Sequence, residues 1–224
     1  MEHIASEIYP ERYDLFGLSI SESSIICTCV VFALLILLLA FRFIVFPKFT
    51  TVPKGFQVFV EWFVTAFDNM AKGTVGNKMS VFLGPYIFSV VIFIAVNVLV
   101  ELFRIRSPLA DINTCLALAL MTFILIHFFG LKKHGPVGRV KYYFNPVAIA
   151  APIRFMDECL TPVSMTFRLF GSILSGMLIM EVVYSFVPLV LPAFLSVMFT
   201  IFHAVIQSYI FGTLTLTFIA EVSE

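Results

Sequence analysis

The sequence carries little charge: Asp, Glu, Lys and Arg make up 12% of its 224 residues, and the formal net charge is zero. Globular domains carry roughly twice that charged share. Without a basic excess there is no electrostatic surface for nucleic acid, and no nucleic-acid partner is expected. Instead, 60% of the residues are hydrophobic, including 27 phenylalanines. This composition is typical of an integral membrane protein.

Cysteine is scarce as well, and the four cysteines lie in or beside apolar runs without metal-ligand spacing. That placement favours packing roles over a metal site or a disulfide, so neither a metal nor a cofactor is expected. Residues 1–23 are acidic, whereas a signal peptide begins with basic residues and a transit peptide is rich in arginine. We therefore interpret residues 1–23 as an outer N-terminal segment and not as a targeting sequence.

Five hydrophobic stretches are long enough to cross about 30 Å of hydrocarbon as helices. They cover residues 24–46, 81–103, 111–130, 157–186 and 192–220. The last two reach about 45 Å as helices, so we expect them to be strongly tilted, antiparallel neighbours. The predicted fold is an all-α integral membrane protein with a single membrane domain.

The segment 54–73 differs from these five stretches. Phe56, Phe59, Phe63 and Phe67 recur at helical spacing, with charged residues interspersed. This pattern predicts an amphipathic helix on the membrane surface and not a sixth span.

The basic residues predict the orientation. The segments 47–80 and 131–156 hold nine Lys and Arg residues, whereas the opposite side holds three. The positive-inside rule therefore places the amphipathic helix and the C-terminus inside and the N-terminus outside.

Arg168 lies in the middle of the fourth span. On a helical wheel it shares one face with Ser164, Gly171, Ser172 and Ser175. Arginine keeps its proton in proteins, so Arg168 acts as a fixed positive charge and not as a proton relay. One interpretation is a structural salt bridge to Glu101 on another span. The favoured one is that another subunit brings the negative charge to this face of small residues.

The fifth span carries a second polar stripe of Ser196, Thr200, His203 and Gln207. His203 by itself is as consistent with a core histidine as with a functional one. Four polar residues in one stripe beside Arg168 favour a hydrated path.

Four segments resemble motifs of subunit a of F-type ATP synthases. "TPVSMTFRLFGSILSG" is similar to that family's P-x-S-x-x-x-R-L-F-G-N-x-x-x-G segment, and "IQSYIFGTLTLTFI" to its closing I-Q-A-Y-V-F-x-x-L-T segment. "SPLADINTCLALALMTFIL" resembles P-T-A-D-x-N-x-T-x-x-L-A-L, and "FIAVNVL" also has a counterpart. The motifs occur in family order, and the likeness covers roughly residues 53–220.

The resemblance implies a non-catalytic, proton-translocating stator subunit beside a ring of c subunits, each with a lipid-facing carboxylate. Arg168 corresponds to the family's essential arginine, which separates two aqueous half-channels. Further implied partners are other stator and peripheral-stalk subunits, together with membrane lipid. Gln207 matches the glutamine of the last helix.

Several channel positions depart from the family pattern. Ser172 stands where the family has an asparagine. Met177 stands where the family has a channel acid or histidine, and Thr200 stands where it has the partner of that residue. Glu181 and His203 lie about one turn further along, and we expect them to take over these roles. Arg154 replaces an inner glutamate, so Asp157 or Glu158 is expected to serve there. Asn97 and Glu101 either line the outer channel or form a packing pair.

Two other classes of membrane protein fit the sequence less well. An anchor or cofactor-holding subunit of an electron-transfer complex needs paired histidines at membrane depth, where only His127 and His203 qualify. A stand-alone ion channel or transporter is disfavoured because no internal repeat is visible. The short length and the missing presequence resemble organelle-encoded members of the family, so we expect the mitochondrial inner membrane, with the bacterial plasma membrane as the alternative.

Overall fold

A computed structural model describes residues 12–15, 18–49, 55–103, 107–144, 151–186 and 190–223. Six α-helices dominate this part of the chain: α1 (Glu22–Ala40), α2 (Phe56–Val75), α3 (Asn77–Leu99), α4 (Ile112–Phe144), α5 (Ala151–Phe186) and α6 (Val190–Ser223). A π-helical turn at Phe41–Val45 and a 3-10 turn at Phe46–Lys48 extend α1, and a 3-10 turn at Val100–Phe103 extends α3. A further 3-10 turn, Pro108–Ala110, precedes α4.

Five helical segments are apolar and long enough to cross a membrane. They are Glu22–Val45, Met79–Leu102, Ile112–Lys133, Met156–Met180 and Phe194–Val222. The prediction of an all-α membrane protein with five spans is confirmed. At 36 and 34 residues, α5 and α6 are about 54 and 51 Å long, well beyond the thickness of the hydrocarbon; their tilt remains a prediction.

A small antiparallel hairpin precedes α1, and sequence reasoning missed it. Strand β1 (Arg12–Leu15) pairs with β2 (Leu18–Ser21), in the register Arg12 to Ser21. Strands of four residues are too short for hydrophobic alternation to reveal them.

Two helices extend beyond the predicted spans. Helix α4 runs to Phe144, past the expected end at residue 130, with a break at Gly135, whose φ is 69° and ψ is 170°. Helix α5 begins at Ala151 instead of residue 157. Hydropathy predicts only the part of a helix that lies in lipid. A helix makes its backbone hydrogen bonds internally, so it can continue into the polar region without apolar side chains.

Helices α2 and α3 are separated only by Gly76, whose φ of 77° is accessible to glycine without strain. The ring of Phe88 on α3 lies 5.7 Å from that of Phe63 and 5.8 Å from that of Phe67 on α2. Helix α2 is not among the five candidate spans. Its predicted place on the membrane surface stays a prediction.

Two apolar clusters hold α3 to α6 together. The first joins Ile94 of α3, Ala119 of α4, Leu169 of α5 and Phe211 of α6, all buried. The second joins α2, α3, α4 and α6 and includes Ala71, Leu83, Phe129, Leu216 and Ile219. Within the described residues, α4 packs most extensively against α5, and α3 against α6.

The start of α4 also anchors the start of α1. Asp111, directly before α4, accepts a 3.0 Å hydrogen bond from the backbone N–H of Asn113, as an N-cap residue does. Its other carboxylate oxygen accepts a 3.3 Å bond from the Ser21 hydroxyl, just before α1. Further along α1 most apolar side chains are exposed, as on Phe32 and Leu37, which is typical of a helix that faces lipid.

Candidate functional site

The face of α5 that carries Arg168 is uncovered. Ser164, Arg168, Gly171 and Ser175 are all exposed, and a Cβ built on Gly171 would meet nothing within 4 Å. Their spacing of four, three and four residues places them on one side of the helix. The predicted face of small residues is therefore open to a neighbour.

Arg168 forms no ion pair and no hydrogen bond with any residue that the structure describes. Glu101, the partner of the salt-bridge interpretation, lies half-buried in the 3-10 turn after α3 and is not bonded to Arg168. Within the described part of the chain, the permanent cation has no anion of its own.

The opposite face of α5 fixes the helix in place. Met165, Leu169 and Ile173 are buried in the first apolar cluster. Ser172, at the edge of the open face, is half-buried, and its hydroxyl donates to the carbonyl of Leu169 at 3.0 Å. Because the buried side is locked by packing, the direction in which Arg168 points is set by the fold.

A close contact between α5 and α6 sets their register. A Cβ built on Gly176 would lie 3.0 Å from Cε1 of Phe199. Arg168 lies eight residues before Gly176, and Gln207 lies eight residues after Phe199. In antiparallel helices with equal rise, Gln207 therefore falls at the level of Arg168.

Helix α3 brings Asn97 to nearly the same level. A Cβ on Gly212 of α6 would meet Val91 at 2.9 Å and Ile87 at 3.2 Å. Counting along the two antiparallel helices from these contacts places Asn97 beside residues 202–206, which include His203. The fold thus brings Asn97, His203 and Gln207 together near the depth of Arg168.

Each of these three residues has a buried polar atom that forms no hydrogen bond with the described residues. The amide oxygen of Asn97, Nε2 of His203 and Nε2 of Gln207 are buried without a hydrogen-bond partner among the described residues. Leaving such a group unpaired in a protein interior costs about 1–3 kcal/mol. Buried polar groups of this kind are normally satisfied by another protein group or by an ordered water.

The remaining predicted outer residues lie further out on the same helices. Thr200 is buried on α6, one turn beyond His203, and Glu101 lies one turn beyond Asn97. Glu181 belongs to α5, but its side chain lies outside the described residues. Moving away from Arg168, His203 therefore precedes Thr200 along α6, and Asn97 precedes Glu101 along α3 and the turn that follows it.

The predicted inner acids lie on the other side of Arg168. Asp157 is exposed, and Glu158 is largely buried, ten residues and about 15 Å before Arg168 along α5. Oε1 of Glu158 lies 3.5 Å from Nε2 of His127 on α4. No sequence signal indicated this pair, because its members are on different helices and share no motif.

The haem alternative finds no support in this arrangement. Nδ1 of His127 lies 3.1 Å from the Phe123 carbonyl, and its other ring nitrogen faces Glu158. The ring of His203 stacks on Phe199, with centroids 6.1 Å apart. The two histidines engage different neighbours instead of facing one another.

Comparison with known proteins agrees with the resemblance. A model of the family "ATP synthase A chain" matches residues 25–220. "ATP synthase subunit a 3" of Pelobacter propionicus is 31% identical over 213 residues, which cover 93% of this chain and 92% of that protein. "ATP synthase subunit a" of Moorella thermoacetica is 29% identical over 189 residues, covering 84% and 86%. With that family match spanning most of its length, the chain belongs to the family of the ATP synthase A chain, the proton-translocating stator subunit of the synthase.

Proposed function

We propose that Arg168 separates two proton half-channels beside a rotating ring of c subunits and that its counter-charge is the ring carboxylate. The observation that supports this proposal is that Arg168 is exposed at the middle of a membrane helix, on a face of small residues. Among the described residues it forms no ion pair with an acidic side chain.

The physics of the proposal is electrostatic. A carboxyl group that faces lipid stays protonated because lipid does not solvate its charge. At about 4 Å and an effective dielectric constant near 20, a guanidinium favours the ionised form by about 4 kcal/mol. The carboxyl therefore releases its proton as it approaches Arg168 and takes up another after it passes. A fixed cation between the channels also opposes direct proton leakage.

For the outer half-channel we propose Asn97, Glu101, Thr200, His203, Gln207 and Glu181, with Ser172 beside Arg168. The unpartnered polar atoms of Asn97, His203 and Gln207 support this assignment. For the inner half-channel we propose Asp157 and Glu158, supported by their position about 15 Å inward of Arg168. Each 100 mV across the membrane then supplies about 2.3 kcal/mol per proton.

The decisive test replaces Arg168 in the assembled synthase. Arg168→Ala is expected to reduce proton-driven ATP synthesis by about three orders of magnitude, since about 4 kcal/mol of stabilisation is lost. Ser164→Ala, one turn away on the same face, serves as the matched control and should retain synthesis. Normal synthesis by an assembled Arg168→Ala complex would overturn the proposal.

The partner is tested by cross-linking. Ser175→Cys places a thiol on the open face, and we expect oxidative cross-links to a cysteine on the outer helix of the c subunit. Val163 is exposed on a different side of α5, and Val163→Cys should not form them. Cross-links of Ser175→Cys to this chain alone would contradict a rotor-facing surface.

In the cell, the chain works as a component of the synthase together with its other subunits. We propose that it contributes to ion movement and not to the chemical step of ATP formation. We infer the mitochondrial inner membrane as its location. The bacterial relatives keep the bacterial plasma membrane as the alternative. Immunolocalisation of the assembled complex separates the two.

A further inference from the structure

A cavity of about 570 Å³ opens where α2 turns into α3 at Gly76, beside the end of the α4 span. Its wall is mostly apolar and includes Val75, Met79, Phe82 and Phe129. The volume lies within the range of about 300–1,000 Å³ that is typical of small-molecule sites. None of the acids or polar groups proposed above for the proton path lines it.

The cavity lies at a membrane boundary. One candidate span begins at Met79 and another ends at Lys133, and both residues line the cavity. Just inside that boundary, Phe82 and Phe128 are 61% and 56% exposed, so the lipid-facing surface continues into the cavity. An occupant can therefore have an apolar part in the lipid and a polar part at the interface.

The polar end of the cavity is basic. Lys132 and Lys133 line it and are both exposed, and no Asp or Glu of the described residues contributes to its wall. Within the described residues, Lys132 forms no ion pair with an acidic side chain. The positive-inside bias explains lysines at this face of the membrane. It does not explain an apolar cavity directly beside them.

We propose that this cavity binds an anionic phospholipid, with its phosphate at Lys132 and Lys133 and the first part of an acyl chain against Met79, Phe82 and Phe129. Ammonium groups attract phosphate, and lysine stems can lie along apolar surface while the charge remains at the interface. A bound lipid would fill the space between the α2–α3 turn and α4, and it would hold the amphipathic helix against the spans.

Photo-labelling of the complete synthase tests this proposal. Complexes reconstituted in phosphatidylcholine receive a trace of phosphatidylglycerol or of phosphatidylcholine, each with a photoreactive group on its acyl chain. Mass spectrometry then maps label on residues 75–82 and 128–133. We expect the anionic probe to label these peptides more strongly, by about fivefold for each lysine engaged.

Matched variants separate charge from shape. Lys132→Gln with Lys133→Gln should abolish the preference for the anionic probe, whereas Val75→Trp, which fills the cavity, should reduce labelling by both probes. Lys72→Gln removes a lysine of the same region that pairs with Asp68 and does not line the cavity, and it should change nothing.

Several results would overturn the proposal. These are equal labelling by the two probes, an equal loss in Lys72→Gln, full displacement by inorganic phosphate, or cross-links from these peptides to another subunit in place of lipid. Labelling should persist in Arg168→Ala. The proposed lipid site and the proposed proton path are therefore tested independently of one another.

Discussion

Gln207 combines deep burial with a polar atom that lacks a hydrogen-bond partner among the described residues. It is 5% exposed at the level of Arg168, yet its amide nitrogen has no hydrogen-bond partner among the described residues. Gln207→Leu keeps the approximate volume and removes the unpaired amide. We expect unfolding stability to stay constant or to rise by about 1 kcal/mol, while ATP-driven proton pumping in proteoliposomes slows by about tenfold, equivalent to about 1.4 kcal/mol.

The neighbouring Ser208 provides the control for this prediction. It is 3% exposed, and its hydroxyl donates to the Val205 carbonyl at 3.2 Å, so this buried hydroxyl has a hydrogen-bond partner within its own helix. Ser208→Ala should leave pumping unchanged. If Gln207→Leu lowered stability and pumped at the normal rate, Gln207 would be a packing residue.

At the scale of helices, one glycine lies in a buried helix interface and another on an open helix face. A Cβ on Gly212 would lie 2.9 Å from Cγ2 of Val91, whereas a Cβ on Gly171 would meet nothing within 4 Å. Gly212→Ala should therefore lower the unfolding free energy by about 1–3 kcal/mol through overpacking of α3 against α6. Gly171→Ala should leave it unchanged or raise it, since alanine favours helix.

A large side chain at position 171 should impair ATP synthesis without affecting stability. Gly171→Leu projects a bulky side chain from the open face of α5, where the proposed rotor passes. ATP synthesis should fall severalfold while thermal unfolding of the complex is unchanged. Normal synthesis by this variant would show that no partner approaches Gly171 closely.

At the scale of the whole molecule, the basic residues make the membrane orientation testable. The predicted topology places the C-terminal end of α2 inside and the start of α1 outside. A cysteine at the exposed Thr74 should react with a membrane-impermeant maleimide only from the inner side, and one at Ser24 only from the outer side. Comparison with the parent protein accounts for its four native cysteines.

Reaction of both cysteines from one side would contradict five spans with opposite-facing ends. Reversed sides for both would keep the five spans but invert the orientation, and it would place the proposed lipid cavity at the outer face.

The sequence by itself determined the spans and the face of α5, because both depend on local properties. Hydropathy over about twenty residues identified the five membrane segments, and the helical repeat grouped Arg168 with Ser164, Gly171 and Ser175. Only the tertiary structure decided which residues lie at the same depth. That depends on contacts between helices, such as that of Gly176 with Phe199, which place Gln207 level with Arg168 and bring His127 to Glu158. A helix encodes its own faces in its periodicity, whereas its register against a neighbour is set by side-chain packing that no single segment contains.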